Sequence, residues 1–403
     1  MVRKLKSLVP QKVKNYAWHF PKANIANLRF GFPAKGMIVI GVTGTDGKTT
    51  TTNMIYQILK NAGKKVSMIS TINAMIGDES FDTGFHITSP NASDLQKYIR
   101  KAKEAESKYL VLEVTSNGLD QFRVLGIKFE IGVITNITHE HLDYHKTWEN
   151  YFKTKAKLIK NVNIAVINKD EKHFERLSKL TKGKVVSFGL HKNSDFNPLK
   201  FPLNLKIPGE YNLLNALAGA AVSINLKVPS KIVKDTLNSF KSLPGRMEEI
   251  ENNKGIKIIV DFAHTPNGLE QALKTLQKFK KGNLVALIGA EGDRDTQKRA
   301  LMGEIAVKLA DKVIITSVDP RGEVEQINKQ ILEGVKKAGG NLGEDVFVEN
   351  DREKAIRMAI EKLAKKGDIL AIFGKGHEKS MNLDGKNEIA WSDADTIRKI
   401  LNG

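Results

Sequence analysis

Short apolar runs rich in β-branched residues alternate with longer amphipathic stretches from residue 37 onward. The short runs lie at residues 37–43, 66–70, 109–114, 131–136 and 164–168. The amphipathic stretches lie at residues 48–61, 93–105 and 148–159. Strands that alternate with helices in this way predict βαβ units and a mainly parallel sheet that is covered on both faces.

The same alternation returns in the second half of the chain. Two helices are predicted at residues 212–226 and 229–240, and the stretch Ser242-Leu-Pro-Gly-Arg246 is typical of a linker or hinge. Further strands are predicted at residues 256–260, 284–288, 312–316 and 369–373, and further helices at residues 268–277, 299–309, 325–338 and 351–363. We therefore expect two α/β domains, a central one over residues 37–243 and a C-terminal one over residues 244–403.

Residues 1–36 form a basic N-terminal arm that is too short to be a domain. The arm carries eight Lys or Arg residues and no acidic residue, with Trp18, Phe20, Phe30 and Phe32 interspersed. Interleaved basic and aromatic residues can grip nucleic acid. Aromatic side chains that dock an arm onto its own domain are the more common arrangement, and this is the interpretation we favour.

Composition narrows the class of protein. The 403 residues include 64 Lys plus Arg and 45 Asp plus Glu, a formal charge of +19, and no cysteine, which excludes disulfides, Cys-ligated metals and a thiol nucleophile. The excess of positive charge leaves nucleic acid, anionic lipid and phosphate-rich small molecules as candidate partners. No apolar run approaches the ~20 residues that cross a bilayer. We expect a cytoplasmic protein without a membrane span and, by default, a monomer.

A phosphate-binding loop is predicted where the first strand meets the first helix. The stretch Gly41-Val-Thr-Gly44-Thr45-Asp46-Gly47-Lys48-Thr49-Thr50 follows an apolar strand and opens an amphipathic helix. Glycines let backbone N–H groups converge on phosphate oxygens at a helix N-terminus, Lys48 adds a mobile positive charge, and the Thr49 hydroxyl suits a Mg²⁺ shell. Nucleotide binding is therefore favoured over a purely structural turn.

A second polar stretch, residues 135–145, follows a strand end and contains His139, Glu140, His141, Asp143 and His145. Ligands of open parallel sheets bind at such strand ends. These side chains could ligate a transition metal. Because a predicted phosphate-binding loop lies upstream, we favour the alternative in which one His and one carboxylate serve a Mg²⁺–phosphate centre. Glu113 ends another predicted strand, and its neighbours Thr115, Ser116, Asn117 and Gly118 are typical of a functional loop.

Together these motifs resemble the Mur ligase family, the ATP-dependent enzymes that form amide bonds in peptidoglycan precursors, and most of all its UDP-N-acetylmuramoyl-tripeptide synthetase branch. The resemblance runs from about Gly36 to the end of the chain. It rests on eight ordered motifs, at residues 43–50, 88–90, 113–119, 135–145, 243–247, 261–266, 292–295 and 374–378. It implies a P-loop central domain followed by a Rossmann-like C-terminal domain.

The resemblance also implies roles for individual residues around ATP and Mg²⁺. ATP would be held by Gly44, Thr45, Asp46, Gly47, Lys48, Thr49, Thr50, Asn212, Arg246, Asp261 and His264. Mg²⁺ would be held by Thr49, Glu113, His141 and Lys155, the last as a carbamate. Lys48, Glu113, His141, Lys155 and Arg246 would be the catalytic set. Without the resemblance, Lys155 would be taken as a solvated helix lysine beside Lys153 and Lys157.

Two substrates follow from the same resemblance, a nucleotide-sugar peptide and an amino acid. The first would be bound by Thr88, Ser89, Ser116, Gln121 and Arg123. The second would be bound by Arg294, Asp319, Arg321, Gly374 and Glu378, a pocket of the diaminopimelate type in which Arg321 pairs with the distal carboxylate. ATP would phosphorylate the acceptor carboxylate, and the amine of the amino acid would then displace phosphate.

Two departures from the family pattern accompany these expectations. The family has a uridine-binding domain before the central domain, whereas here we expect only the 36-residue arm in that place. Either the arm contacts the uridine diphosphate, or the acceptor is not a UDP-sugar. The amino-acid motif is Val318-Asp-Pro-Arg321 in place of Asp-Asn-Pro-Arg. Two alternatives are a superfamily ligase with another acceptor, such as a folylpolyglutamate synthase, and a nucleic-acid-associated P-loop ATPase. We expect no nucleic-acid partner.

Overall fold

The computed structural model describes residues 9–81, 90–138 and 140–403. These residues fall into two compact units. The first comprises the described residues up to 138 together with residues 147–206 and 211–240. The second comprises residues 140–146, 207–210 and 241–403. In the described residues, no helix combines the length and apolar character that crossing a bilayer requires.

The first unit is built on an eight-stranded sheet of order β4-β3-β2-β5-β1-β6-β7-β8. Its strands are β1 (Ile38–Thr43), β2 (Val66–Ile69), β3 (Ala74–Ile76), β4 (Glu79–Phe81), β5 (Tyr109–Glu113), β6 (Phe129–Ile134), β7 (Ile164–Asn168) and β8 (Lys184–Phe188). The pairs from β2 to β8 are parallel, whereas β3 and β4 add an antiparallel edge. Strand β1 is central and almost wholly buried, as its continuous apolar run predicts.

The helices up to residue 239 begin with an N-terminal helical arm, and all of them but α6 accompany the first unit. They are α1 (Gln11–Lys14), α2 (Phe20–Phe30), α3 (Lys48–Asn61), α4 (Ala92–Glu104), α5 (Ser116–Asp120), α6 (Leu142–His145), α7 (Trp148–Ala156), α8 (Phe174–Ser178), α9 (Glu210–Asn225) and α10 (Ser230–Ser239). A π-helical turn, Asn15–His19, joins α1 to α2, and a 3₁₀ turn, Lys157–Ile159, follows α7. By the division above, α6 groups with the second unit. Apolar clusters pack under the helices, one around Leu95, Leu110 and Leu112 and another around Tyr151 and Phe152.

The arm docks on its own unit, as predicted, but largely through other residues than expected. Asn15 Nδ2 donates to Asp120 Oδ2 at 2.6 Å, and Asn27 Nδ2 donates to the Leu125 carbonyl at 2.9 Å. Phe20 lies edge-on to the Phe122 ring, with ring centroids 5.2 Å apart. The expected anchor Trp18, in the π-helical turn before α2, is instead exposed, and the inward face of α2 consists of Ala23, Ala26 and Asn27.

The second unit is built on a six-stranded sheet of order β13-β12-β11-β14-β10-β9 and a small hairpin. Its strands are β9 (Glu248–Ile250), β10 (Lys257–Asp261), β11 (Leu284–Ile288), β12 (Lys312–Ile315), β13 (Val346–Val348) and β14 (Ile369–Phe373), and the hairpin pairs β15 (Ser380–Asn382) with β16 (Glu388–Ala390). Its helices are α11 (Pro266–Gln277), α12 (Gln297–Leu309), α13 (Val324–Lys337), α14 (Arg352–Met358) and α15 (Asp393–Asn402), with a π-helical turn at Ala359–Leu363. All pairs but β9–β10 are parallel in the main sheet.

The α/β class is confirmed, and every long strand and helix predicted from residue 37 onward is present to within a few residues. Beyond residue 37, the elements that the sequence analysis did not assign span ten residues or fewer. They are the β3–β4 edge, β8, β9, β13, the β15–β16 hairpin, α5, α6, α8 and α15, and the arm helices α1 and α2 were not assigned either. Strands of three residues carry too little periodicity to be recognised alone.

Candidate functional site

The turn between β1 and α3 has the conformation of a phosphate-binding loop. Gly47 adopts a positive φ of 81°, and a Cβ there would lie 2.3 Å from Asn215 Oδ1. A Cβ at Gly44 would lie 1.8 Å from Thr135 Oγ1. Both positions therefore require glycine. The loop ends at the N-terminus of α3, where the N–H groups of the first turn and the helix dipole favour an anion.

A second loop, residues 135–138, holds the phosphate-binding loop in place. Asn136 Oδ1 accepts from the backbone N–H groups of Thr45 and Asp46, at 3.1 and 2.9 Å. Thr135 Oγ1 donates to the Asp46 carbonyl at 2.6 Å. Glu171 accepts from the Ile137 N–H, and its burial raises the pKa of its carboxyl. The loop conformation is thus fixed by neighbouring side chains and does not depend on a ligand for its shape.

Two lysines direct their ammonium groups at carbonyls of the same loop. Lys48 Nζ donates to the Thr45 carbonyl at 2.7 Å, and Lys155 Nζ donates to the Gly44 carbonyl at 2.6 Å. Lys155 is only 1% exposed and lies over the Tyr151 ring, whose hydroxyl contacts Thr45 Oγ1 at 3.0 Å. The interpretation of Lys155 as a solvated helix lysine is therefore wrong, since α7 presents this side chain to the loop.

Oxygen donors gather beside the loop. Thr49 Oγ1 donates to Glu113 Oε1 at 3.1 Å, and the other carboxylate oxygen of Glu113 accepts from the Thr71 N–H at 2.9 Å. A threonine hydroxyl next to a buried carboxylate is a donor set that suits Mg²⁺. His141 groups with the second unit, where it precedes α6 with a positive φ of 58°.

Three of the five residues expected to bind the nucleotide-sugar peptide, Ser116, Gln121 and Arg123, lie in the described part of the chain. Ser116 begins α5 and is buried, and Thr115 caps that helix by accepting from the Gly118 N–H. Gln121 Oε1 accepts from both Nε and an Nη of Arg123, at 3.0 and 2.7 Å. Thr88 and Ser89 lie outside the described residues.

Three residues expected at the nucleotide meet in the second unit, near the carboxyl end of β10. Asp261 accepts from the Met247 and Ala263 N–H groups, at 2.7 and 2.8 Å. The Arg246 guanidinium lies 4.4 Å from the centre of the Phe262 ring. His264 Nδ1 lies 2.9 Å from the Phe262 carbonyl. In the first unit, Asn212 is buried near the start of α9, and Thr50 is buried in α3.

Charged side chains meet at the expected amino-acid pocket. Lys375 Nζ contacts Asp319 Oδ1 at 2.9 Å and Glu378 Oε2 at 2.6 Å. Carboxylate oxygens of Glu291, Asp319 and Glu378 lie within 4.8 Å of one another, and the Lys375 ammonium offsets their charge. Lys375 and Asp319 are fully buried, so each depends on its partner.

A further carboxylate, Glu291, lies among cations in this pocket. It pairs with Arg294 at 3.2 Å. Burial by itself raises the pKa of Glu291, but the positive charges of Lys298 and Arg294 outweigh it and hold this pKa well below its usual range. Arg321 donates to the Gly292 carbonyl at 3.1 Å, which places its guanidinium beside the same loop.

The pocket backbone is held in conformations that ordinary residues rarely adopt. Asp293, Asp319 and Arg321 all have positive φ, between 44° and 54°. Asp319 Oδ1 accepts from the Asn382 N–H, and the Arg321 N–H donates to the Asn382 carbonyl. Such backbone conformations cluster at binding sites and persist only where surrounding contacts impose them.

The buried ion pair between Arg352 and Asp393 stabilises the ends of β12 and β14, beside this pocket. Arg352 forms a bidentate pair with Asp393 at 2.7 and 2.8 Å, and both side chains are fully buried. The same guanidinium donates to the carbonyls of Ser317 and Phe373, which follow β12 and end β14. Gly374, with a φ of 108°, follows directly.

Sequence reasoning gave no role to Asn136, Tyr151, Glu291 or Lys375, although all four contact the loop or the pocket. Asn136 and Lys375 lie inside recognised motifs, and Glu291 lies just beyond the carboxyl end of β11. A polar side chain directly after a buried parallel strand is the signal that could have identified Glu291. Tyr151 sits in a helix, and no local pattern distinguishes it from a core residue.

Comparison with known proteins agrees with this arrangement. Residues 42–223 match the Mur ligase middle domain, and residues 245–376 match the Mur ligase glutamate ligase domain. Two relatives, from Clostridium botulinum and Clostridium acetobutylicum, are 38% and 40% identical to this chain, with 92% of the chain and 79% of each relative covered. Both are named UDP-N-acetylmuramoyl-L-alanyl-D-glutamate–2,6-diaminopimelate ligase.

A solved structure of a ligase with that name aligns with a TM-score of 0.61 at 29% identity, over 91% of this chain and 79% of the other. The similarity thus spans both units and the loop and pocket residues described above. The chain belongs to the Mur ligase family.

Proposed function

We propose that this chain is an ATP-dependent ligase that joins 2,6-diaminopimelate to UDP-N-acetylmuramoyl-L-alanyl-D-glutamate through an amide bond. The observation that carries the proposal is that one chain has both a formed phosphate-binding loop, in its first unit, and a mixed-charge pocket, in its second unit, and that its relatives carry that name. The loop suits the triphosphate, and the pocket suits an amino acid with charged groups at both ends.

The first unit would bind and orient ATP. Backbone N–H groups of residues 44–47 and the Lys48 ammonium would contact the phosphates, once Lys48 leaves the Thr45 carbonyl. Thr49 and Glu113 would hold Mg²⁺, with His141 and a carbamate on Lys155 as further ligands. When bound, Mg²⁺ neutralises charge on the phosphates. Asn212, Arg246, Asp261 and His264 would contact the rest of the nucleotide.

In the phosphoryl transfer that follows, the protein would contribute mainly by positioning the reactants and would form no covalent bond itself. Ser116, Gln121 and Arg123, with Thr88 and Ser89, would place the terminal carboxylate of the acceptor against the γ-phosphate. A carboxylate oxygen takes the phosphoryl group and ADP leaves. The amine of the amino acid attacks the acyl carbon, a C–N bond forms, and phosphate leaves with the bridging oxygen while the amine loses a proton.

The second unit would choose the amino acid. Arg321 presents a planar guanidinium that matches a carboxylate, and Glu378 and Asp319 offer acceptors for an ammonium group. Arg294 and Gly374 would line the same pocket. A distal carboxylate beside a distal ammonium is the feature that separates diaminopimelate from lysine, and both signs of charge are available here.

The direct test incubates purified protein with ATP, Mg²⁺ and the muramoyl dipeptide nucleotide, adding diaminopimelate, lysine or no amino acid. Mass spectrometry should show a product heavier by one diaminopimelate less water, and no comparable product with lysine. The Lys48→Met variant should lose this product, whereas Lys60→Met, an exposed lysine on the same helix, should keep it. No product with either amino acid, together with ligation to a different carboxylate acceptor, would refute the proposed substrate.

A further inference from the structure

Exposed apolar side chains are concentrated in the helical arm. Among the described residues, sixteen large hydrophobic side chains are exposed, and eight of them lie between residues 9 and 32. They are Val9, Val13, Tyr16, Trp18, Phe20, Ile25, Leu28 and Phe32. Half of these side chains therefore fall within 24 residues of the described chain, where scattered exposure would place about one. Such a concentration of exposed apolar side chains in one segment favours an interaction site.

The arm helix is turned with its small residues inward and its large apolar residues outward. Ala23, Ala26 and Asn27 are buried against the unit, while Ile25 and Leu28 are 62% and 71% exposed. A helix whose only role is docking on its own domain shows the opposite arrangement. We define the outward face as Trp18, Lys22, Ile25, Leu28 and Arg29. Trp18, Lys22, Ile25 and Arg29 follow one another at intervals of three or four residues, and Leu28 is three residues from Ile25, so these side chains form one stripe.

The arm carries positive charge without any compensating acid of its own segment, and two of its cations, Lys22 and Arg29, lie on the outward face. Five cations, Lys12, Lys14, Lys22, Arg29 and Lys35, lie in the described part of the arm, and residues 1–36 contain no Asp or Glu. Lys22 lies 4.0 Å from the Trp18 ring centre, so a cation and an aromatic ring sit side by side on the stripe. In a helix that lies in a lipid interface, aromatic and aliphatic side chains face the acyl layer, and long Lys or Arg side chains beside them can reach the head groups.

We propose that the outward face of the arm binds an anionic lipid surface, with the helix axis parallel to the membrane plane. Charge complementarity selects this occupant, because a second copy of the chain would bring a second basic arm into contact. Nucleic acid would use the cations and Trp18, but it offers no apolar environment for Ile25 and Leu28. The interface of an anionic bilayer offers both negative charge and an apolar layer, and Trp favours that depth.

The test uses the full chain and sedimentation with vesicles. Vesicles of phosphatidylglycerol mixed with phosphatidylcholine should pull the protein down, and vesicles of pure phosphatidylcholine should not. Binding should weaken as salt increases, since the cations supply part of the attraction. The fluorescence of Trp18 should shift to the blue on binding, and this shift should be absent in Trp18→Phe even though that variant still sediments.

Matched variants separate the apolar contribution to vesicle binding from the electrostatic contribution. The apolar variant changes Trp18, Ile25 and Leu28 to Ser, and its control changes three side chains exposed elsewhere, Leu199, Phe279 and Leu342, to Ser. The apolar variant should bind anionic vesicles at least about tenfold more weakly, and the control should bind as the parent chain does. Likewise Lys22→Gln with Arg29→Gln should weaken binding, while Lys227→Gln with Lys231→Gln, both exposed, should not.

Three results would overturn the proposal. The first is equal sedimentation of the apolar variant and its control. The second is dimerisation of the parent chain that the apolar variant abolishes without any binding to vesicles, which would assign the stripe to a second copy. The third is a loss of ligase activity in the apolar variant in the absence of lipid, which would assign the arm to the substrate. Because the vesicle assay needs no substrate, it stands whether or not the proposed ligase activity is found.

Discussion

The phosphate-binding loop of the first unit and the proposed amino-acid pocket of the second unit both lie at the carboxyl ends of parallel strands. They differ in the chemical groups that form them. The loop consists of backbone N–H groups, hydroxyls and an asparagine, all supplied by two short stretches of chain. The pocket consists of ion pairs from three separate stretches, and Lys375, which pairs with Asp319 and Glu378, is fully buried. A backbone loop tolerates the loss of one contact better than a buried charge tolerates the loss of its partner.

The largest expected effect is a loss of stability when the buried Arg352–Asp393 ion pair of the second unit is broken. Arg352→Met leaves the Asp393 carboxylate buried without its bidentate partner and releases the carbonyls of Ser317 and Phe373. We expect a loss of about 3–5 kcal/mol in the free energy of unfolding. Urea unfolding followed by circular dichroism measures it. Arg398→Met, on an exposed pair, should cost less than about 1 kcal/mol, and similar costs for both variants would contradict the contrast drawn here.

The next effect concerns the support of the phosphate-binding loop. Asn136→Ala removes the acceptor of the Thr45 and Asp46 N–H groups, so the loop loses its preformed shape. We expect kcat/KM for ATP to fall by about 10- to 100-fold, with about 1–3 kcal/mol lost from stability. Steady-state kinetics at saturating amino acid measures this. Asn163→Ala, which breaks an exposed bond to Glu130, serves as control and should leave kcat/KM unchanged.

A smaller effect should appear in amino-acid choice. Glu291→Gln keeps the shape of the side chain but removes the charge that pairs with Arg294. Because a carboxylate at this place repels the distal carboxylate of diaminopimelate and attracts the lysine ammonium, the ratio of kcat/KM values should shift about tenfold toward diaminopimelate. Competition kinetics with both amino acids measures the ratio. An unchanged ratio, matching the exposed control Glu344→Gln, would remove Glu291 from the pocket's selectivity.

The smallest effect is electrostatic and lies on the surface of the first unit. Hydrogen bonds from Arg176 and then Lys153 lower the pKa of the Glu149 carboxyl to about 2. A lowered pKa in the folded state means that this stabilisation is present above the unfolded value near 4.5 and is lost as pH falls from there toward 2. Melting temperatures from pH 6 to pH 2 at low salt should fall less steeply for Glu149→Gln. Identical profiles would show that the exposed ion pair contributes nothing.

The same contrast explains how far the sequence could be interpreted. The phosphate-binding loop is one continuous stretch whose glycines and lysine follow a strand, so local spacing alone indicated its chemistry. The pocket joins residues 291, 319, 375 and 382, and nothing in their spacing indicates that they meet. There, only the resemblance to Mur ligases pointed to Arg321 and Glu378, and Glu291 and Lys375 went unassigned.

The arm shows a second limit of prediction from the sequence. Its composition was clear from the sequence, but the direction in which α2 presents its faces depends on Asn27 reaching the Leu125 carbonyl, which is a contact between distant residues. Similarly, the burial of Lys155 depends on the docking of α7 beside the loop. The domain limits at residues 36 and 243 and the individual site roles stay predictions.

The central claim is that the loop activates a carboxylate as an acyl phosphate before the pocket delivers the amine. The most direct test supplies an acceptor whose glutamyl carboxylates carry ¹⁸O, together with ATP, Mg²⁺ and diaminopimelate, and analyses the released phosphate by mass spectrometry. The account predicts that each phosphate carries one ¹⁸O from the carboxylate and that its formation matches that of the amide product. Unlabelled phosphate alongside product would contradict it.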